Sequence, residues 1–128
     1  MNRRAFVFTA LAALPAGAAL VPDIALAGGH GRVGTFTGNA RYGVGGRGEL
    51  TDTQVILLDD FRFGSAPDPK IALGRDGRYD PSTLMGLLKS NAGRSTYALP
   101  AGIDASRYNE IWIWCERFNV PLASAKLN

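Results

Sequence analysis

Residues 108–127, YNEIWIWCERFNVPLASAKL, contain both tryptophans and the only cysteine of the chain. Aliphatic and aromatic residues alternate through the first half of this stretch, and successive side chains of a β-strand point to opposite faces. The pattern therefore predicts a strand with one aliphatic face toward a core and one aromatic face directed outward or against a loop. The core face carries Ile111, Ile113 and Cys115, and the other face carries Glu110, Trp112 and Trp114.

A second strand at residues 118–122 is expected to return beside the first. If Glu116 and Arg117 form a two-residue turn, the returning strand adds further apolar side chains to the core face. Because Glu-Arg is a poor pair for the tight turns of hairpins, a longer loop is the alternative. The two-residue turn pairs Cys115 with Phe118, Ile113 with Val120, Ile111 with Leu122, Trp114 with Asn119 and Trp112 with Pro121.

Short strand-like segments separated by glycine and proline recur along the chain. Residues 75–81 have a polar, turn-like sequence, and residues 83–89 fit either a helical turn or a strand. This spacing predicts an all-β fold, a compact antiparallel β-sandwich of the jelly-roll or immunoglobulin-like kind. The other strand segments are residues 33–37, 44–50, 54–59, 70–73, 95–99 and 124–127.

Residues 1–27 have the features of an export signal. Arg3 and Arg4 precede an Ala-rich apolar run, and Ala25-Leu26-Ala27 supplies the A-x-A pattern of signal-peptidase sites. The run is shorter than the roughly 20 residues that span a bilayer, and the opening NRRAFVF resembles twin-arginine signals. We therefore expect a cleaved signal helix, a mature domain at residues 28–128, a periplasmic or secreted location and no stable membrane insertion.

Composition argues against several functional classes. A net charge of +3 over 128 residues, without a basic cluster, is too small to suggest nucleic-acid binding. The single cysteine cannot form an internal disulfide, and the single histidine leaves no plausible nucleophile–base pair. We expect no independent hydrolytic or transferase activity.

His30 gives one candidate metal site. If cleavage follows Ala27, the mature chain begins Gly28-Gly29-His30. The terminal amine, two amide nitrogens and the imidazole then form a square-planar set of four nitrogens that suits Cu(II) or Ni(II). The alternative is an incidental histidine in a terminal tail.

Cys115 has two interpretations from the residues alone. It is either a small core residue, as buried cysteines usually are, or a redox thiol or ligand to a metal or haem. Trp112 and Trp114 are either a packed patch or a docking surface or flank for a planar cofactor. Asp59, Asp60 and Asp68 form a candidate calcium cluster, although turn-forming carboxylates are the simpler interpretation.

Four blocks in chain order carry a family resemblance. They are LDDFRF (58–63), APDPKIAL (66–73), LMGLLKSNAGRSTYALP (84–100) and YNEIWIWCERFNVPLASAKL (108–127). Together they resemble the DM-thirteen (DM13) domain family, which is catalogued as electron transfer and found beside DOMON and cytochrome b561-type modules in some animal proteins. On this match the family cysteine falls on Cys115, and two family pairs fall on Asp60-Phe61 and Pro67-Asp68.

The resemblance implies a β-sandwich and an exported electron-transfer accessory. Cys115 would be its redox thiol or a ligand, with haem or copper as candidate cofactors and a redox or surface protein as partner. The sequence departs from the family pattern at Pro69-Lys70 and at residues 121–124. The alternative is a cofactor-free extracytoplasmic binding or scaffold module in which Cys115 is a buried core residue.

Overall fold

β-Strands dominate residues 31–128, the part of the chain that the computed structural model describes. Every strand pair is antiparallel, so the all-β antiparallel prediction is confirmed. The predicted export signal and the candidate metal site at Gly28, Gly29 and His30 lie outside the described residues. The strands are β1 (Arg32–Gly38), β2 (Arg47–Leu50), β3 (Gln54–Leu57), β4 (Pro69–Arg75), β5 (Arg78–Asp80), β6 (Ser95–Ala98), β7 (Glu110–Cys115) and β8 (Val120–Lys126).

One curled sheet contains all eight strands, in the order β5-β4-β7-β8-β1-β2-β3-β6. Strand β1 connects its halves, because residues 32–35 pair with β2 and residues 36–38 pair with β8. The halves face each other: a Cβ added to Gly48 of β2 would lie 3.1 Å from Cδ1 of Ile111 of β7. The two layers of the predicted sandwich are therefore the two halves of a single sheet.

The core lies between the two halves of the sheet. Phe36 and Phe61 meet edge to face there, with ring centroids 5.5 Å apart. Within residues 31–128, no helix is long and apolar enough to cross a membrane. The core side chains with no measurable exposure are Val55, Leu57, Ile71, Ala72, Leu73, Ile111, Ile113 and Ala125.

Strand β5 is absent from the sequence prediction, which treated residues 75–81 as turn-like. Asp76 and Gly77 form a two-residue hairpin turn between β4 and β5, with φ of 52° and 87°. Asp-Gly is a favoured pair for such turns because both positions need positive φ. The apolar alternation that marks a strand is missing, because β5 is a short edge strand with an exposed or half-buried surface.

The predicted two-residue turn between β7 and β8 is wrong. Cys115 pairs with Val120, so the loop has four residues, 116–119. The pairing of the two strands also shifts register at a bulge between Ile113 and Trp114. Asn119 closes the loop with φ of 54°, a conformation that asparagine adopts more readily than most residues. Phe118 is consequently 60% exposed rather than part of the core. Strand β8 also continues to Lys126 without the predicted break.

Candidate functional site around Cys115

Cys115 is the last residue of β7 and is 1% exposed. Its side chain lies on the core face with Ile111 and Ile113, as the alternation predicts. On either side its backbone pairs with Pro69 of β4 and Val120 of β8. Because β7 ends at Cys115, β4 begins at Pro69 and β8 begins at Val120, Cys115 lies at the end of the sheet, next to the β7–β8 turn.

Asp68 ties the β7–β8 turn to the start of β4. The backbone N–H of Arg117 donates to Asp68 Oδ2 at 2.8 Å, and that of Glu116 donates to the Asp68 carbonyl oxygen at 3.4 Å. Lys70 also forms an ion pair with Glu116, in which its ammonium group donates a hydrogen bond to the carboxylate. That hydrogen bond is the largest cause of the raised pKa of Lys70. The turn that begins directly after Cys115 is therefore held by contacts from residues 68–70.

The two tryptophans lie on the outer face of the sheet. Trp114 stacks on Tyr79 of β5 with ring centroids 3.9 Å apart and 16° between the planes. Trp112 meets Trp114 edge to face at 6.0 Å. The structure therefore does not bring Cys115 together with Trp112 and Trp114, because strand alternation places the thiol on the opposite face.

Both indole N–H groups have partners within the protein. Trp114 Nε1 donates to Asn119 Oδ1 at 3.1 Å, and Trp112 Nε1 donates to Glu110 Oε1 at 3.0 Å. Glu110 is only 3% exposed, and its other carboxylate oxygen accepts from the N–H of Gly77 at 2.8 Å. These bonds satisfy a carboxylate that would be costly to bury alone, so the patch is a packed structural element.

Residues 31–128 do not supply a donor set for a bound metal. No group of three or more His, Cys, Asp and Glu side chains in that range is placed to hold an ion. The candidate calcium cluster does not form, since Asp59 bonds to Arg94 and Asp60 to Arg47. Asp68 bonds to the backbone of the β7–β8 turn instead, so Asp60 and Asp68 match the interpretation as turn carboxylates.

An open cleft of about 620 Å³ lies at the β4–β5 hairpin. Tyr108 donates from its hydroxyl to Asp80 Oδ2 at 2.6 Å inside it. This bond is the largest cause of both the lowered pKa of Asp80 and the raised pKa of Tyr108. The residues that line the cleft are Arg75, Asp76, Arg78, Tyr79, Asp80, Pro81, Arg107 and Tyr108.

A family model described as "Electron transfer DM13" matches residues 35–127. The chain belongs to the DM13 family. No curated protein and no solved structure gives a significant match. The matched range covers almost all of the described DM13 domain, including Cys115 and Asp68, and confirms the family resemblance.

Sequence reasoning missed how this DM13 domain uses Asp68, Tyr79 and the arginines of the cleft. The Pro67-Asp68 pair of the family pattern was the available signal for Asp68, but its partner lies 49 positions along the chain. Tyr79 and Arg78 belong to the hairpin that the Asp-Gly pair could have revealed. The pattern within one strand carries no information about the Asp68–Arg117 hydrogen bond or about the stacking of Tyr79 on Trp114.

Replacing Cys115 tests its burial. Cys115→Ala is expected to lower the unfolding free energy by about 1 kcal/mol, since it removes one buried apolar atom. Cys115→Ser is expected to cost about 1–3 kcal/mol, because it buries a hydroxyl without a hydrogen-bond partner. Urea unfolding of both variants measures the difference. A serine variant at least as stable as the alanine variant would contradict the enclosed position of the side chain.

The Asp80–Tyr108 bond predicts a pH dependence of stability. The folded pKa of Asp80 is lowered, first by Tyr108 and then by Ser82. Its carboxylate therefore stabilises the fold above the unfolded pKa, and this contribution is lost as the pH falls through the folded pKa. Asp80→Asn should flatten the fall in unfolding free energy below about pH 5. Urea unfolding at a series of pH values measures the unfolding free energy, and an unchanged dependence on pH in Asp80→Asn would contradict the prediction. Asp52→Asn, at an exposed site, is the control.

Proposed function

We propose that this DM13 protein is an exported electron-transfer accessory whose redox group is the Cys115 thiol. The observation that carries the proposal is the position of the only cysteine at the end of β7, directly before the β7–β8 turn. Opening of that one turn would expose the sulfur without disrupting the centre of the sheet. The family match supports an electron-transfer role in general.

The chemistry available to a single thiol is exchange with a disulfide. The Cys115 proton passes to solvent, the thiolate attacks one sulfur of a partner disulfide, and the partner's second sulfur leaves as a thiolate and takes up a proton. Cys115 is thereby oxidised to a mixed disulfide while one partner sulfur is reduced. A thiol of a second, reduced dithiol protein then attacks the Cys115 sulfur and releases the first partner as a dithiol. The remaining thiol of that second protein displaces the Cys115 thiol and leaves its own pair as a disulfide, so two electrons pass from the dithiol protein to the first partner's disulfide. A disulfide-bearing redox protein is therefore the partner class that we propose.

Export places this chemistry outside the cytoplasm. Support comes from Arg3 and Arg4, the apolar run after them and the A-x-A pattern that ends at Ala27. The periplasm and the extracellular space are where protein disulfides persist, so a disulfide-bearing partner is expected there. The twin-arginine-like opening of the signal favours transport of the folded domain.

Haem or copper ligation by Cys115 does not fit the described residues. The sulfur is enclosed among core side chains and lines none of the three clefts described in residues 31–128. No group of three donor side chains accompanies it in that range. A ligand role would need both a cavity beside the sulfur and further donors, so no step of the proposal passes through either cofactor.

A cofactor-free binding or scaffold module is the second candidate. The observation that favours it is the 1% exposure of Cys115, which is typical of an inert core thiol. In this case partner recognition would use the outer surface around Trp112, which lines a cleft of about 420 Å³ beside β1 and β8.

One set of measurements on protein purified from the periplasm separates the two candidates. We expect no visible absorption, no stoichiometric metal and slow formation of a mixed disulfide when the folded protein is incubated with glutathione disulfide. Intact mass detects the adduct, and Cys115→Ala is the control that should form none. A thiol that reacts only after unfolding would support the scaffold candidate and contradict the redox thiol. A haem absorption band would contradict both.

A further inference from the structure

The cleft at the β4–β5 hairpin concentrates positive charge. Arg75 and Arg78 are direct cross-strand partners, and such like-charge pairs are destabilising. Arg107 joins them from the short 3-10 turn Ala105–Arg107, and the side chain of Arg75 donates to its carbonyl oxygen at 2.9 Å. Three arginines therefore line one open cleft.

The two carboxylates of the cleft are already engaged. Asp80 accepts hydrogen bonds from Ser82 and from the Tyr108 hydroxyl. Asp76 Oδ1 accepts a hydrogen bond from Asn109 Nδ2 at 2.9 Å, and Asp76 Oδ2 lies 3.5 Å from Arg75 Nε. Neither carboxylate neutralises the two remaining arginines. Within residues 31–128, no ion pair involves Arg78 or Arg107.

We propose that this cleft binds the carboxylate or phosphate group of a small anionic ligand. Guanidinium groups pair with the planar geometry of both oxyanions, and such charge-assisted bonds are stronger than neutral ones. An anion bound by Arg78 would also offset the repulsion between Arg78 and its cross-strand partner Arg75. The volume of about 620 Å³ lies within the range of small-molecule sites, roughly 300–1,000 Å³. Tyr79 and Tyr108 add aromatic surface to the same cleft.

The test is a titration of the purified protein with inorganic phosphate and, separately, with succinate at constant ionic strength. Backbone amide NMR shifts report the position and affinity of each anion. The test variant is the double replacement Arg78→Gln and Arg107→Gln, both at exposed positions. Arg94→Gln removes the same kind of charge from an exposed arginine that pairs with Asp59, and it is the matched control.

We expect saturable shifts confined to the hairpin and to residues 104–108, with affinity weakened about tenfold or more in the double variant. Arg94→Gln should leave the affinity unchanged within twofold. A response to phosphate alone assigns a phosphate group, and a response to succinate alone assigns a carboxylate. Shifts that do not saturate, or an equal loss in Arg94→Gln, would overturn the proposal. It does not depend on Cys115, so its failure leaves the proposed redox function untouched.

Discussion

Replacing Gly46 with alanine is expected to lower the free energy of unfolding by about 3 kcal/mol or more. Gly46 has φ of 89°, and a Cβ at this position would lie 2.3 Å from the Asp60 carbonyl oxygen and 2.4 Å from Phe61 Cα. Both contacts are with backbone, which cannot move aside as a flexible side chain can. The backbone at the start of β2 and the loop after β3 would have to separate, although Phe61 is part of the core.

Gly77→Ala is the matched control for this prediction. Gly77 has nearly the same φ, 87°, but nothing lies within 4 Å of an added Cβ. Its replacement should cost about 1–2 kcal/mol, the conformational penalty alone. Urea unfolding of both variants gives the two free energies. Equal losses would show that the close approach between Gly46 and the Asp60–Phe61 backbone is absent in solution.

Replacing Asp68 with alanine is expected to accelerate the reaction of Cys115 with glutathione disulfide about tenfold or more in the folded protein. The change removes the carboxylate that accepts from the Arg117 N–H at 2.8 Å. Hydrogen bonds to charged groups contribute about 1.5–3 kcal/mol, and a loss of 1.4 kcal/mol multiplies the open population tenfold. The rate of adduct formation, followed by intact mass, measures this population when closing is faster than reaction.

Asp60→Ala controls for a general loss of stability. Asp60 also accepts a hydrogen bond from a backbone N–H, that of Arg47 at 3.0 Å, and it forms an ion pair with the Arg47 side chain. Its partner belongs to β2 rather than to the β7–β8 turn, so its loss should affect stability with little effect on the thiol. An equal acceleration in both variants would contradict a specific role of Asp68 in covering Cys115.

The strand pattern of the sequence predicts the class of fold and the core face of β7. Alternation succeeds there because Ile111, Ile113 and Cys115 all point into the space between the two halves of the sheet. It also places Trp112 and Trp114 correctly on the other face. That β1 joins the halves depends on a change of partner within one strand, for which local periodicity gives no signal.

Contacts between distant segments account for most of what the sequence left open. The length of the β7–β8 turn depends on the left-handed conformation of Asn119 and on the hydrogen bonds that the turn's backbone N–H groups donate to Asp68. Phe118 is therefore exposed to solvent rather than buried in the core. The arginine cleft forms only because a hairpin and a separate 3-10 turn lie side by side. Strand β5 is an edge strand without the apolar periodicity of a buried one.

The dependence of Cys115 reactivity on urea distinguishes opening of the β7–β8 turn from unfolding of the whole domain. Opening of one turn exposes little surface, whereas unfolding of the whole domain exposes much more, and the effect of urea scales with the exposed area. We predict that the rate of reaction with glutathione disulfide is nearly constant at low urea and rises steeply only near the unfolding transition. A rate that rises from zero urea with the full slope of global unfolding would mean that Cys115 reacts only in the unfolded chain. That result would contradict a redox role for the thiol in the folded protein.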